Sequence, residues 1–168
     1  MRRNVSIILP AHHESNDRKQ TQAFEQFILP KFDPKDFTSL PAQKTNDMDN
    51  VYTLSSHRPS SVFSYEQNNK KGFFAVECKW RKKDYNGYMP WADPTELRNY
   101  RDYQEKMNTP IFIIIGLGGS PADPMNVLVM PFRYIAELPV LDMHYLKGYF
   151  RPLPHKKFFL DTENLVLK

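Results

Sequence analysis

At 168 residues and a net charge of +4, the chain is sized for one domain around one core. Its 40% hydrophobic, 14% aromatic and 25% charged residues exclude a disordered polymer. Cys78 is the only cysteine, which excludes a disulfide framework and any zinc site built from several thiolates. No run of apolar residues approaches membrane-spanning length, and the modest positive charge permits a polyanionic partner without requiring one.

In chain order, Met1-Arg2-Arg3 precedes an apolar run, Val5 to Leu9, that is too short for a signal sequence, so residues 1–15 are expected to be a loose arm or a short edge strand. His12, His13 and Glu14 are read as solvated rather than as metal ligands. A helix is predicted from Asp17 to Leu29, capped by Asn16 or Asp17 and stopped by Pro30. Ala23, Phe24, Phe27 and Ile28 form its buried stripe, with Glu25 at the margin. The polar connection over 30–61 is expected to hold short strands near Phe37 to Leu40 and Val51 to Ser55, with Asp47 and Asp49 in a turn. Ser61 to Tyr65 alternates as a strand, and Gln67 to Gly72 is turn chemistry in a multi-residue hairpin loop.

The returning strand, Gly72 to Trp80, carries the sharpest signal. Alternation puts Phe74, Val76, Cys78 and Trp80 on one face and Phe73, Ala75, Glu77 and Lys79 on the other. A carboxylate and an ammonium therefore leave one face of an otherwise apolar strand, which is costly unless they are paired or bind something. Cys78 falls on the apolar face, which makes it a core residue rather than a reactive thiol. Arg81-Lys82-Lys83 follows at once. After a loop rich in Tyr, Trp and Pro, a second helix is predicted from Pro94 to Met107, with Asp93 as N-cap. Leu97, Tyr100, Tyr103 or Gln104, and Met107 mark its inward side; Arg98, Arg101 and Lys106 face water or a partner. Ile111 to Ile115 is apolar without alternation, the pattern of a central strand covered on both faces.

Gly116-Leu117-Gly118-Gly119-Ser120-Pro121 lacks the Lys-Ser/Thr of a phosphate loop and leads into prolines, so it reads as a tight connection to a strand over Asn126 to Phe132. Tyr134 to Tyr149 is expected to hold one or two short helices, and the basic segment after 150 to end as an edge strand or docked tail. The whole predicts an α/β fold: a central mixed β-sheet flanked by α-helices, in one domain over 1–168. Its core spans about 17–132, with an N-terminal arm, 1–16, and a C-terminal extension, 133–168.

A helix bearing Glu25, a hairpin ending in Glu77-Cys78-Lys79, a helix with Tyr100, Tyr103 and Gln104, then the apolar strand: this order resembles the core of the restriction-endonuclease-like superfamily, the PD-(D/E)XK nucleases. The stretches Val76 to Trp80, Tyr100 to Gln104 and Ile113 to Gly119 look closest to bacterial members of uncharacterised role. The resemblance implies a metal-dependent hydrolase of phosphodiester bonds in DNA. It assigns Glu77, Glu25 and the backbone carbonyl of Cys78 to Mg2+ or Mn2+, Lys79 to the attacking water, and Gln104 to a polar position near the site. It further gives Arg81, Lys82, Lys83, Arg98 and Arg101 to the DNA backbone, with a homodimer among the possible states, while the single core cysteine leads us to expect a reducing, cytoplasmic setting. One position departs. The family carries an Asp near the end of the first hairpin strand, commonly after a Pro, whereas Arg58-Pro59-Ser60-Ser61-Val62-Phe63 offers only Ser60 or Ser61. Three explanations stay open: Glu25, Asp47 or Asp49 supplies the missing oxygen; metal binds only with substrate; or the fold persists as a nucleic-acid or protein-binding module without catalysis. A structural ion pair between Glu77 and Lys79 in a domain of other function is the plainest alternative.

Overall fold

The computed structural model describes residues 14–40, 58–152 and 154–168. The expected strand near Val51 to Ser55, the histidines of the arm, and Asp47 and Asp49 lie outside them. Helix α1 (Glu14–Ile28) is followed by one 3-10 turn (Leu29–Lys31) and strand β1 (Phe37–Leu40). Then come β2 (Ser61–Gln67), β3 (Lys70–Arg81), β4 (Tyr88–Pro90), α2 (Pro94–Met107), β5 (Ile111–Leu117) and β6 (Asn126–Pro131). Three short strands close the order: β7 (Val140–Asp142), β8 (Leu160–Asp161) and β9 (Val166–Leu167).

The main sheet runs β1-β2-β3-β5-β6. β1, β2 and β3 pair antiparallel, β3 and β5 pair parallel, and β5 and β6 pair antiparallel. The parallel step needs a crossover, and α2 supplies it. The expected mixed sheet flanked by helices is therefore the observed one. The β2–β3 loop is shorter than expected: Gln67 pairs with Lys70, leaving Asn68 and Asn69 as the turn, both at positive φ (53° and 61°). Asparagine tolerates that region, and two such residues in succession form the turn whose twist suits a hairpin.

Alternation along β3 divides the core into two layers. Phe74, Val76, Cys78 and Trp80 face α1 through Phe24 and Ile28, with Phe63, Phe112, Ile114 and Val129 from neighbouring strands. Ala75, Ile113, Ile115, Leu128 and Met130 face the other way, against Leu97 and Tyr100 of α2 and the buried Met89 and Trp91. β5 is buried at every position because both layers close over it, which explains its unbroken apolar run. α1 lies so close to β5 that a side chain at Gly116 would meet the Phe24 ring at 2.5 Å. The C-terminal tail docks as a β8–β9 hairpin and adds Phe158, Leu160 and Leu167 to the α1 layer. Met107, expected on the inward side of α2, is 54% exposed because it is the last residue of the helix, and Phe73 is 55% exposed because β5 pairs with β3 only from Ala75 onward.

Candidate functional site

The site begins with register. Ser61 pairs with Val76, so Ser60, just before β2, comes alongside Glu77. Its amide and its hydroxyl both donate to Glu77 Oε2, at 3.0 and 3.2 Å, and its Oγ accepts from the Cys78 amide at 3.3 Å. α2 closes the other side. Asp93 caps it through the amides of Thr95 and Glu96, while Glu96 Oε2 accepts from the Asp93 amide, a reciprocal pair of bonds that fixes the first turn. Glu96 and Tyr100 lie four residues apart and so share one helix face. That face meets β3: the Tyr100 hydroxyl donates to Glu77 Oε1 at 2.9 Å, and Lys79 Nζ donates to Glu96 Oε1. Lys79 also stands 3.7 Å from Glu77 Oε1 and 5.9 Å from the centre of the Tyr100 ring.

Glu77 is only 8% exposed, and burial, the dominant influence, raises its pKa above the ordinary carboxylate value. The Lys79 ammonium, the Tyr100 hydroxyl and both Ser60 donors oppose that shift. Burial, then the neighbouring carboxylates of Glu77 and Glu96, raises the Tyr100 hydroxyl pKa. Burial, with the charges of Glu77 and Glu25, holds the Cys78 thiol well above its usual value, as expected of a core cysteine.

The expected site residues fare unequally. Glu77 and Lys79 come together with Ser60 at the departed position. Glu25 belongs to α1, whose buried residues pack on the opposite face of the sheet, where its charge acts on the Cys78 thiol. Gln104 Oε1 accepts from the Ile111 amide at 3.3 Å, level with Ala75, and thereby ties the end of α2 to the start of β5. Arg81 is half-buried, with its guanidinium turned to backbone carbonyls. It donates to the carbonyls of Trp80, Pro90 and Trp91 and pins the loop after β3. Arg101 donates to the Ala136 carbonyl and to Glu137. Lys82, Lys83 and Arg98 are exposed. Sequence reading singled out neither Glu96 nor the hydroxyl of Tyr100. The Asp93-x-x-Glu96 box and the four-residue spacing to Tyr100 were the available signals.

Oxygen donors for a divalent cation are few here. Mg2+ favours six oxygens, two or more of them carboxylate or phosphate. Both Glu77 oxygens already accept protein hydrogen bonds, and the Lys79 ammonium stands between Glu77 and Glu96. Among the described residues, no three His, Cys, Asp or Glu side chains converge on a common point. Among the described residues, the donor set does not fit a divalent cation; it is a cluster in which two carboxylates share one lysine.

No protein-family model and no curated protein matches the sequence. Among solved structures, that of Archaeoglobus fulgidus Hjc, a Holliday junction resolvase from an archaeal hyperthermophile, is similar over 77% of this chain and 88% of that one, at a TM-score of 0.44 and 11% sequence identity. Among the described residues, no helix is long and apolar enough to cross a membrane.

Proposed function

We propose that this chain is a nuclease-type domain that has exchanged its cutting centre for a closed polar cluster and that holds DNA by its backbone without hydrolysing it. The observation that carries this is Ser60. Where the resemblance calls for a second carboxylate beside Glu77, a serine donates twice to the same Glu77 oxygen. A carboxylate there would repel Glu77 unless a cation lay between them; a serine holds Glu77 in place directly. Lys79, paired with both Glu77 and Glu96, offsets their charge and is not free to serve an attacking water. The exposed Lys82 and Lys83 leave β3 just past this cluster, and Arg98 is exposed on the first turns of α2. Those three are the backbone contacts of this reading.

The test pairs binding with cleavage. DNA binding should weaken steeply between 50 and 300 mM salt, and replacing Lys82 and Lys83 together by Ala should lower the slope of log affinity against log salt by about two. No cleavage should accumulate with Mg2+ or Mn2+. Metal-dependent cutting by the wild type that Lys79→Ala abolishes would instead establish a working hydrolase, with ligands drawn from outside the described residues.

A further inference from the structure

The segment after β3 builds a feature that the Glu77 cluster does not use. Tyr85 and Tyr88 exchange both backbone hydrogen bonds, at 2.7 and 3.1 Å, around Asn86 and Gly87, which sit at positive φ (54° and 84°). This is a minimal two-residue hairpin. Directly opposed residues of an antiparallel pair project to the same face, so the two tyrosines stand side by side. Tyr88 also pairs with Asp142 of β7, while the next pair, Met89 and Leu141, is buried beneath. The tyrosine face is therefore the outward one: Tyr85 is 46% exposed and Tyr88 47%.

Cations border these rings. Lys83 Nζ lies 5.6 Å from the centre of the Tyr85 ring, and Lys82 and Lys147 are exposed nearby in the chain. The neighbouring carboxylates are turned to local work: Asp84 accepts from the Gly87 amide at 2.9 Å and Asp142 from the His144 amide at 2.8 Å. The platform is also fixed in place. Arg81 holds the carbonyls of Pro90 and Trp91, Trp91 donates its indole N–H to the Leu138 carbonyl, and the Met143 amide donates to Gly87. A hairpin backbone held in this way needs little ordering on binding.

We propose that this hairpin is a stacking platform for unpaired bases, so that the chain prefers single-stranded over duplex nucleic acid, with Tyr85 and Tyr88 taking bases and Lys82 and Lys83 taking the adjoining phosphates. A duplex hides its base faces in its own stack and offers these rings nothing; a single strand offers both base faces and phosphates. The inference rests on the reading of the chain as a nucleic-acid binder and adds which form it takes.

The experiment is fluorescence anisotropy with a labelled oligothymidine and a labelled duplex of the same length, using the full chain. The wild type should hold the single strand more tightly. Tyr85→Ala and Tyr88→Ala should each weaken single-strand binding about fivefold or more and duplex binding less than about twofold. Lys82→Ala and Lys83→Ala should weaken both forms. Phe73→Ala, equally exposed but near the other end of β3, should change neither. Tighter duplex binding, or tyrosine variants that hold the single strand as the wild type does, would overturn the platform while leaving DNA binding intact. Failure to bind either form, or binding only to anionic vesicles, would overturn both.

Discussion

The two layers either side of β3 come from alternate residues of the same strand, yet they are held by different forces. The α1 layer is a stack of aromatics. Phe74 meets Phe32, Phe37, Phe63 and Phe112 with ring centres 5.5 to 6.0 Å apart, and Phe158 lies 4.5 Å from Phe32. The α2 layer is apolar around Trp91 and Phe132 but carries Glu77 and Lys79 at its margin, where every charge has a named partner. The first layer is held by the shape and apolar surface of its rings, the second by a particular set of donors and acceptors.

The largest expected effect lies in the aromatic layer. Phe74→Ala should cost about 4 kcal/mol in denaturant unfolding, because Phe74 is 1% exposed and its removal leaves a cavity that rings on several sides cannot all collapse to fill. A loss below about 1 kcal/mol would mean that the layer is loosely packed. In the polar layer, Lys79→Met should cost about 3 kcal/mol, since it strands a buried carboxylate.

The polar layer should also respond to pH where the aromatic one does not. With its pKa raised by burial, Glu77 stays protonated in the folded chain at pH values where the unfolded chain has already ionised. Its contribution is full below the unfolded value and is lost as pH rises through the folded one. Unfolding series from pH 4 upward should therefore show a falling component that Glu77→Gln removes and Lys79→Met steepens. Phe74→Ala should lower the curve without altering its slope.

This contrast marks what a sequence reader can see. The aromatic layer was legible because its residues obey period two along β3 and the helical period along α1, and both periods place Phe24, Phe74 and Cys78 correctly. Glu77 and Lys79 were legible as a conflict with that period. Their partners were harder to find. Ser60 is distant in sequence and reaches Glu77 only through the β2–β3 register, which the hairpin turn sets. Glu25 was drawn toward the site by its order in the chain, but helix rotation is fixed by Phe24 and Ile28, and these take α1 to the opposite layer. Arg81 looked like a phosphate contact because it begins a basic run; its place on the strand's buried face turns it to backbone carbonyls instead.

A smaller change tests whether the serine is a structural part or a vestige. Ser60→Ala keeps the amide bond to Glu77 but removes the hydroxyl that joins Glu77 Oε2 to the Cys78 amide. It should cost about 1.5 kcal/mol, the range for leaving buried partners short of a bond. A cost near zero would mean that water replaces the hydroxyl.

The smallest effect separates the helix cap from the cluster it touches. Asp93→Ala should cost about 1 kcal/mol, as loss of an N-cap does. Glu96 uses one oxygen for the Asp93 amide, which the substitution keeps, and the other for Lys79. Cap and cluster thus meet at one side chain but through different atoms. Combining Asp93→Ala with Lys79→Met should be additive within about 0.5 kcal/mol if Glu96 is held by its backbone partner alone. A larger coupling would show that the cap aims Glu96 at Lys79, so that the exposed start of α2 and the buried end of β3 behave as one polar unit.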